Sequence, residues 1–178
     1  IDGAEAGHVV VLGAGVAGSH ALASAVALGA KVDVIDLNEK KLQSLKRKYP
    51  GIETHVSTAE VIEALCIDAD LVIGAVLIAG RRAPVVLRQS MIRQMKEGSV
   101  IVDISIDQGG CVEGIKTTSS ETLCYTEQGV IHSAVPNMPA AVARTSSQSL
   151  SSAIMPYVLK LAGSELDAMA DSQSAAER

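Results

Sequence analysis

The chain has 178 residues, 48% hydrophobic and 20% charged, which suits one α/β domain with a substantial core and lies far from a disordered composition. A formal net charge of −5 and only 2% aromatic residues argue against a nucleic-acid surface, which needs cations and stacking rings. Apolar runs of about eight residues are too short to span a bilayer, and no basic leader precedes them.

The polar lead Ile1 to Gly7 carries no initiator methionine, and the expectation is a domain excised from a larger protein. His8 to Leu12 reads as a short apolar strand. A glycine-rich turn then enters a helix from Val16 to Leu28, closed by Gly29. Lys31 to Leu37 is a second strand. Asn38 caps a polar helix, Glu39 to Tyr49, that stops at Pro50-Gly51. Ile52 to Val56 is a third strand, and Thr58 caps a helix from Ala59 to Ile67. Asp70 to Leu77 and Ser99 to Ile106 are continuous apolar runs, the pattern of strands buried on both faces of a parallel sheet. Between them, Pro84 to Met95 contains a helix. Gly129 to Val135 gives a sixth strand after an irregular stretch. Ala140 to Ala162 follows as a long helix that Pro156 breaks or kinks, and Gly163 to Arg178 is a polar tail. Alternating β and α predicts a doubly wound, mainly parallel sheet of the Rossmann type with helices on both faces, spanning residues 1–162.

Chemistry concentrates first in Gly13-Ala14-Gly15-Val16-Ala17-Gly18. Between a strand and a helix, Gly13 permits the tight turn and Gly15 lets backbone approach a pyrophosphate. Gly18 lets helix and sheet pack closely, and the N–H groups from Val16 onward face the phosphates. Asp36 lies 18 residues beyond Gly18, where a carboxylate accepts ribose hydroxyls and repels a 2′-phosphate, which favours NAD over NADP. Lys40 and Lys41 stand close enough in sequence to temper that preference.

Ligands in such sheets lie beyond the carboxyl ends of the strands, which singles out Gly13–Gly18, Leu77–Pro84, Asp107–Glu113 and Pro136–Pro139. Asp107 comes directly off the fifth strand, beside the nicotinamide end of a cofactor laid across the sheet. It can hydrogen-bond a ribose or substrate, or carry a proton; the alternative is an Asx turn. Asn137 suits a carboxamide or carboxylate, or simply ends a strand. Val76, Leu77 and Ile78 can press on a ring or belong to the core. Arg81-Arg82 can face a phosphate or remain a solvated pair. The histidines do not cluster in sequence and read as structural. Cys66, Cys111 and Cys124 fit no zinc template, so no metal site is expected, and reduced thiols point to a cytoplasmic protein.

The segments VVVLGAGVAG, VIDLN, DLVIGAVLIAG, GSVIVDISIDQGGCVEG, VPNMPAAVARTSS and MPYVLKLA, in that order, resemble the nucleotide-binding domain of the bacterial L-alanine dehydrogenase family. The likeness covers about residues 8 to 162, and DQGGC and NMP are far more specific than the glycines. The related transhydrogenase α-subunit shares the fold but differs at DQGGC. The resemblance implies NAD-dependent oxidative deamination of L-alanine to pyruvate and ammonia, and the reverse. It implies that Asp36 holds the adenosine ribose, with Lys41 and Ser57 around the adenine. Val76, Leu77, Ile104, Ser105, Ile106, Asp107, Val135, Asn137 and Met138 would line the nicotinamide half, Asp107 being also catalytic. Lys116 stands where some relatives carry an arginine, Ala79 replaces a proline, and Pro136 an alanine.

In this family the substrate-binding arginine and the catalytic lysine and histidine lie on a separate N-terminal domain, which this sequence does not contain. The resemblance therefore implies a cofactor-binding half, inactive alone, that meets L-alanine or pyruvate only with that domain and assembles as a homo-oligomer, commonly a hexamer. A transhydrogenase-like subunit and a non-catalytic NAD-binding module are the alternatives.

Overall fold

In the computed structural model, residues 3–162 are described. The chain divides into two compact units after Pro136. The expected tail from Gly163 onward lies outside the described residues.

The first unit is a seven-stranded sheet flanked by helices. Its elements are β1 (His8–Leu12), α1 (Val16–Ala27), β2 (Lys31–Asp36), α2 (Glu39–Lys48), β3 (Glu53–Val56), α3 (Ala59–Ile67), β4 (Leu71–Gly74), α4 (Gln89–Ile92), β5 (Val100–Asp103), β6 (Tyr125–Glu127) and β7 (Val130–Ser133). The order is β3-β2-β1-β4-β5-β7-β6, parallel throughout except for the β6/β7 hairpin. The chain order reverses between β1 and β4, and there the crevice for a ligand opens.

Alternation along β1 builds both layers of core. Val10 and Leu12 join Ile35, Val72 and Ile101 under Ile62 and Cys66 of α3 and Met91 and Ile92 of α4. Val9 and Val11 join Val32, Val34 and Ile73 under Leu22 and Ala25 of α1 and Leu42 and Leu45 of α2. Burial of both faces explains why these strands carry apolar runs rather than alternating polarity.

The helix ends follow the expected caps. The Asn38 side chain accepts the Lys41 N–H at 3.2 Å, and Thr58 accepts that of Val61 at 3.2 Å. Gly29, at φ +81°, closes α1 with the paired bonds of a Schellman turn, Gly29 N–H to Val26 O and Ala30 N–H to Ala25 O.

Several expected elements differ. The run expected as strand from Asp70 to Leu77 is strand only over Leu71–Gly74. The run expected as strand to Ile106 ends at Asp103, because the Asp103 carboxylate accepts the Ser105 N–H at 2.9 Å and turns the chain into a 3₁₀ helix, Ile104–Gln108. The helix expected within Pro84 to Met95 is only Gln89–Ile92, because the preceding stretch runs extended and Leu87 bridges to Val112. The irregular stretch before β7 holds a strand, β6, joined to it by Gln128-Gly129, both at positive φ. That is the two-residue hairpin geometry that matches strand twist.

The second unit begins at Asn137, at φ +51°, with a 3₁₀ helix, Met138–Val142, and then α5 (Ala143–Ala162). The helix continues through Pro156. No helix among the described residues is long and apolar enough to cross a membrane.

Candidate functional site

The glycine turn connects β1 to α1 by contacts that permit little change. The Gly13 N–H donates to Ile35 O at 2.8 Å, and a Cβ on Gly13 would stand 2.5 Å from the Ala75 carbonyl oxygen. A Cβ on Gly18 would overlap the Gly13 carbonyl oxygen and press on the Ala75 side chain at 3.4 Å. Gly15 differs: nothing lies within 4 Å of its absent Cβ. It is the N-cap of α1, with no side-chain cap, and Val16 behind it is 81% exposed. The first turn of α1 thus presents backbone N–H groups and open space together, the arrangement that suits an anion.

Asp36 ends β2 beside this turn. One carboxylate oxygen accepts the Ala14 N–H at 2.6 Å, and the other accepts the Asn38 N–H at 2.7 Å. The side chain therefore ties the glycine turn to the start of α2 before any ligand arrives. Each oxygen retains lone-pair capacity for a hydroxyl.

Beyond the ends of β1, β2 and β4 lies a cleft of about 230 Å³. Gly13, Gly15, Asp36, Lys41, Ser57, Val76 and Leu77 all line it, so seven of the sequence-predicted residues meet at one opening. Ile35, Ile62 and Val86 give it an apolar floor, and Leu77 is 67% exposed at its edge. The Ser57 N–H donates to the Asp36 carbonyl at 3.1 Å, which holds the β3–α3 turn against the same edge. The cleft residues fit the adenosine and pyrophosphate portions of a dinucleotide: a carboxylate for ribose, N–H groups for phosphate, apolar walls for a base.

The remaining predicted residues of the first unit lie outside this cleft. Ile104, Ser105, Ile106 and Asp107 occupy the 3₁₀ helix after β5. Asp107 is exposed, Ser105 is buried, and Ile104 packs against the α1/α2 side of the core. Val135 is half-buried just beyond β7. Asn137 and Met138 begin the second unit, where the Asn137 carbonyl accepts the Ala140 N–H at 2.9 Å. Lys116 pairs with Glu127 at 2.9 Å and stands 5.3 Å over the Tyr125 ring. Arg82 lays its side chain across Gly109, so the pair Arg81-Arg82 is partly a packing element.

Cys111 is fully buried, and burial together with the neighbouring Asp103 charge pushes its thiol up to about 12. It is a packing residue, because a nucleophilic thiol needs the opposite environment. Two of the four histidines cluster in space, against the sequence expectation: His8 and His55 both hydrogen-bond the buried Asp33 carboxylate, at 2.8 and 2.6 Å. Among the described residues no group of His, Cys, Asp and Glu is arranged to hold a metal.

Sequence reasoning overlooked Asp103. It lies four residues before Asp107 and is 0% exposed, yet its ionisable side chain serves the loop that carries the predicted catalytic acid. A single acid inside an apolar run was the available signal.

Residues 1–177 match the family described as Alanine dehydrogenase/PNT, C-terminal domain. The alanine dehydrogenase of Halomonas elongata is 44% identical over 163 residues, covering 91% of this chain and 44% of that protein. A solved L-alanine dehydrogenase superposes with a TM-score of 0.87 at 44% identity, over 99% of this chain and 49% of its own. A transhydrogenase from Sinorhizobium meliloti superposes with a TM-score of 0.68 at 31% identity, over 82% of this chain and 41% of its own. The chain spans less than half the length of the relatives it matches. Fold, glycine turn and the run of matched residues agree: the chain belongs to the alanine dehydrogenase/PNT C-terminal domain family.

Proposed function

We propose that this chain holds NAD(H) for the reversible oxidative deamination of L-alanine to pyruvate and ammonia. The observation that carries the reading is the cleft at the β1/β4 reversal, where nothing lies within 4 Å of the absent Gly15 Cβ and the Asp36 carboxylate lines the opening, which supports a pyrophosphate beside a ribose. NAD is preferred to NADP because an anchored carboxylate repels a 2′-phosphate. Three unpaired cysteines, two of them buried, support a reducing, cytoplasmic setting.

In this reading NAD(H), held by the α1 turn and the cleft residues, would supply hydride-transfer chemistry at alanine's α-carbon. The chain's residues orient and exclude: the first turn of α1 binds the phosphates, Lys41 and Ser57 flank the adenine side, and Val76 and Leu77 keep water from the ring. Ile104, Ser105, Ile106 and Val135 shape the nicotinamide side; Asn137 and Met138 are further residues that the family resemblance assigns to the cofactor. Asp107, exposed in the 3₁₀ helix after β5, holds or moves a proton at the substrate nitrogen or the nicotinamide ribose. Substrate held at near-attack distance needs groups beyond those described, so turnover requires the substrate half that the relatives carry. Assembly into a homo-oligomer belongs to the same reading.

The test is a chimaera in which this chain replaces the corresponding half of the Halomonas elongata alanine dehydrogenase. It is expected to deaminate L-alanine with NAD. Asp107→Asn should lower kcat far more than it raises the KM for NAD. A chimaera that binds NADH but has normal turnover with Asn at position 107 would remove Asp107 from the chemistry.

A further inference from the structure

Asp103 ends β5 with a carboxylate that no solvent reaches. A buried charge is tolerated only when fully hydrogen-bonded, and this one is. Its Oδ1 accepts the Ser105 N–H at 2.9 Å and faces the Cys111 thiol at 3.6 Å; its Oδ2 accepts the N–H groups of Cys111 at 2.8 Å and Val112 at 3.2 Å. The bonds join both ends of one loop: Ser105 lies before Asp107, and Cys111 and Val112 lie after it.

Neighbouring glycines are fitted around the same carboxylate. A Cβ on Gly110, which sits at φ +76°, would stand 2.9 Å from Asp103 Oδ2. One on Gly74 would stand 3.2 Å from Oδ1 and 2.5 Å from the Cys111 sulfur. Ala83 N–H donates to Gln108 O at 2.9 Å, and Val86 N–H to Cys111 O at 2.9 Å, so the stretch after β4 is tied to the same loop. The DQGGC segment is thus not a free turn: a carboxylate behind it clasps it at both ends.

We propose that Asp103 is the positioning residue of the nicotinamide half of the site. Its clasp sets where Asp107 and the adjoining backbone stand relative to the reactive ring. This rests on the cofactor reading above, and it assigns to Asp103 a role that acts only through the loop. The anchors of the adenosine half differ from the clasp: Gly13 bonds Ile35 O and Asp36 bonds the Ala14 and Asn38 N–H groups, and the cleft meets the clasped loop at Val86.

That difference in anchors makes the test. The chain is titrated with NADH, followed by nicotinamide fluorescence and calorimetry, and with ADP-ribose, which lacks the nicotinamide. Asp103→Asn keeps size and one acceptor, but either orientation of the amide sets its NH₂ against an N–H donor, that of Ser105 or those of Cys111 and Val112. The wild type is expected to favour NADH over ADP-ribose. Asp103→Asn is expected to weaken NADH by roughly tenfold and remove its fluorescence enhancement, with ADP-ribose affinity unchanged. Gly110→Ala, which keeps the carboxylate group but crowds it and displaces the loop, is expected to give the same split and serves if Asp103→Asn fails to fold. Equal losses for both ligands would reduce Asp103 to a general packing role and overturn the proposal, as would an unchanged NADH affinity. A wild type that binds ADP-ribose as well as NADH would refute the placement of the ring on this loop. One that binds neither would refute the cofactor reading itself.

Discussion

Replacing Gly15 and Gly18 in turn by alanine separates ligand approach from folding within one motif. At Gly15 the backbone sits at φ −76°, open to any residue, and an added methyl meets nothing within 4 Å. Alanine is a poorer N-cap than glycine, a loss of a few tenths to about 1 kcal/mol, and it narrows the unfolded ensemble by about 0.4–1 kcal/mol, so stability should hardly change. The methyl does occupy the space through which a pyrophosphate must reach the N–H groups of α1. Losing one charge-assisted hydrogen bond, about 1.5–3 kcal/mol, raises the Kd for NADH roughly ten- to hundredfold. At Gly18 the added methyl overlaps the Gly13 carbonyl, so backbone rather than a side chain must move. Overpacking of that kind costs about 1–3 kcal/mol or more, against about 1 kcal/mol regained in helix propensity. Thermal unfolding and NADH titration of both variants give four numbers. Gly15→Ala should keep Tm and lose affinity, and Gly18→Ala should lose Tm. A Gly15→Ala protein with unchanged NADH affinity would refute the reasoning, because it would mean that no ligand passes that point.

Asp36→Ala strips the acceptor from the Ala14 and Asn38 N–H groups, so it should cost about 1–3 kcal/mol in urea unfolding while weakening NADH and relaxing discrimination against NADPH. Unchanged affinities for both dinucleotides would deny it the ribose role. Burial alone would raise the Asp33 pKa, but hydrogen bonds from His55 and His8 outweigh it and hold the carboxyl below its ordinary value. Its stabilising contribution is therefore complete above the unfolded value of about 3.9 and is lost as pH falls through the folded value. Acid unfolding of Asp33→Asn should lack that component, and an identical acid limb would contradict the assignment. Burial lowers the His132 pKa and outweighs the opposing pull of Glu127. The unfolded chain then takes up the proton first, so stability declines as pH drops below about 6.5, and His132→Leu should flatten that slope in urea titrations. An aromatic disulfide reagent should label only the exposed Cys124 in the folded protein, with Cys66 and Cys111 reacting after unfolding. Rapid native labelling of Cys111 would show that its loop opens.

What the sequence discloses about this molecule depends on how far apart the cooperating residues lie. The glycine turn is legible because its parts are consecutive and each has a local reason, and the contacts at Gly13 and Gly18 match those reasons. The caps Asn38 and Thr58 are legible because a cap acts three residues ahead. That Asp36, Val76 and Leu77 meet at one cleft follows from the rule that ligands lie beyond the carboxyl ends of parallel strands, whereas Lys41 and Ser57 are expected there only from the family resemblance. The clasp at Asp103 is not legible that way: two of its donors lie eight and nine residues on, and only the folded loop shows why an acid interrupts an apolar run. For the same reason SVIVDISI reads as strand to its end, although the carboxylate within it turns the chain at Asp103. The short strand β6 escapes because Gln128-Gly129 lacks the Asn or Asp that usually marks a tight hairpin. The His8–Asp33–His55 cluster escapes because its three residues come from three neighbouring strands and meet only when the sheet is in register.

The most direct test is calorimetric titration of the folded chain with NADH and then NADPH. One site per chain for NADH, with NADPH weaker by roughly tenfold or more, is the result that a phosphate-accepting glycine turn beside Asp36 predicts. A chain that unfolds cooperatively on heating yet binds neither dinucleotide would contradict the cofactor site at its root.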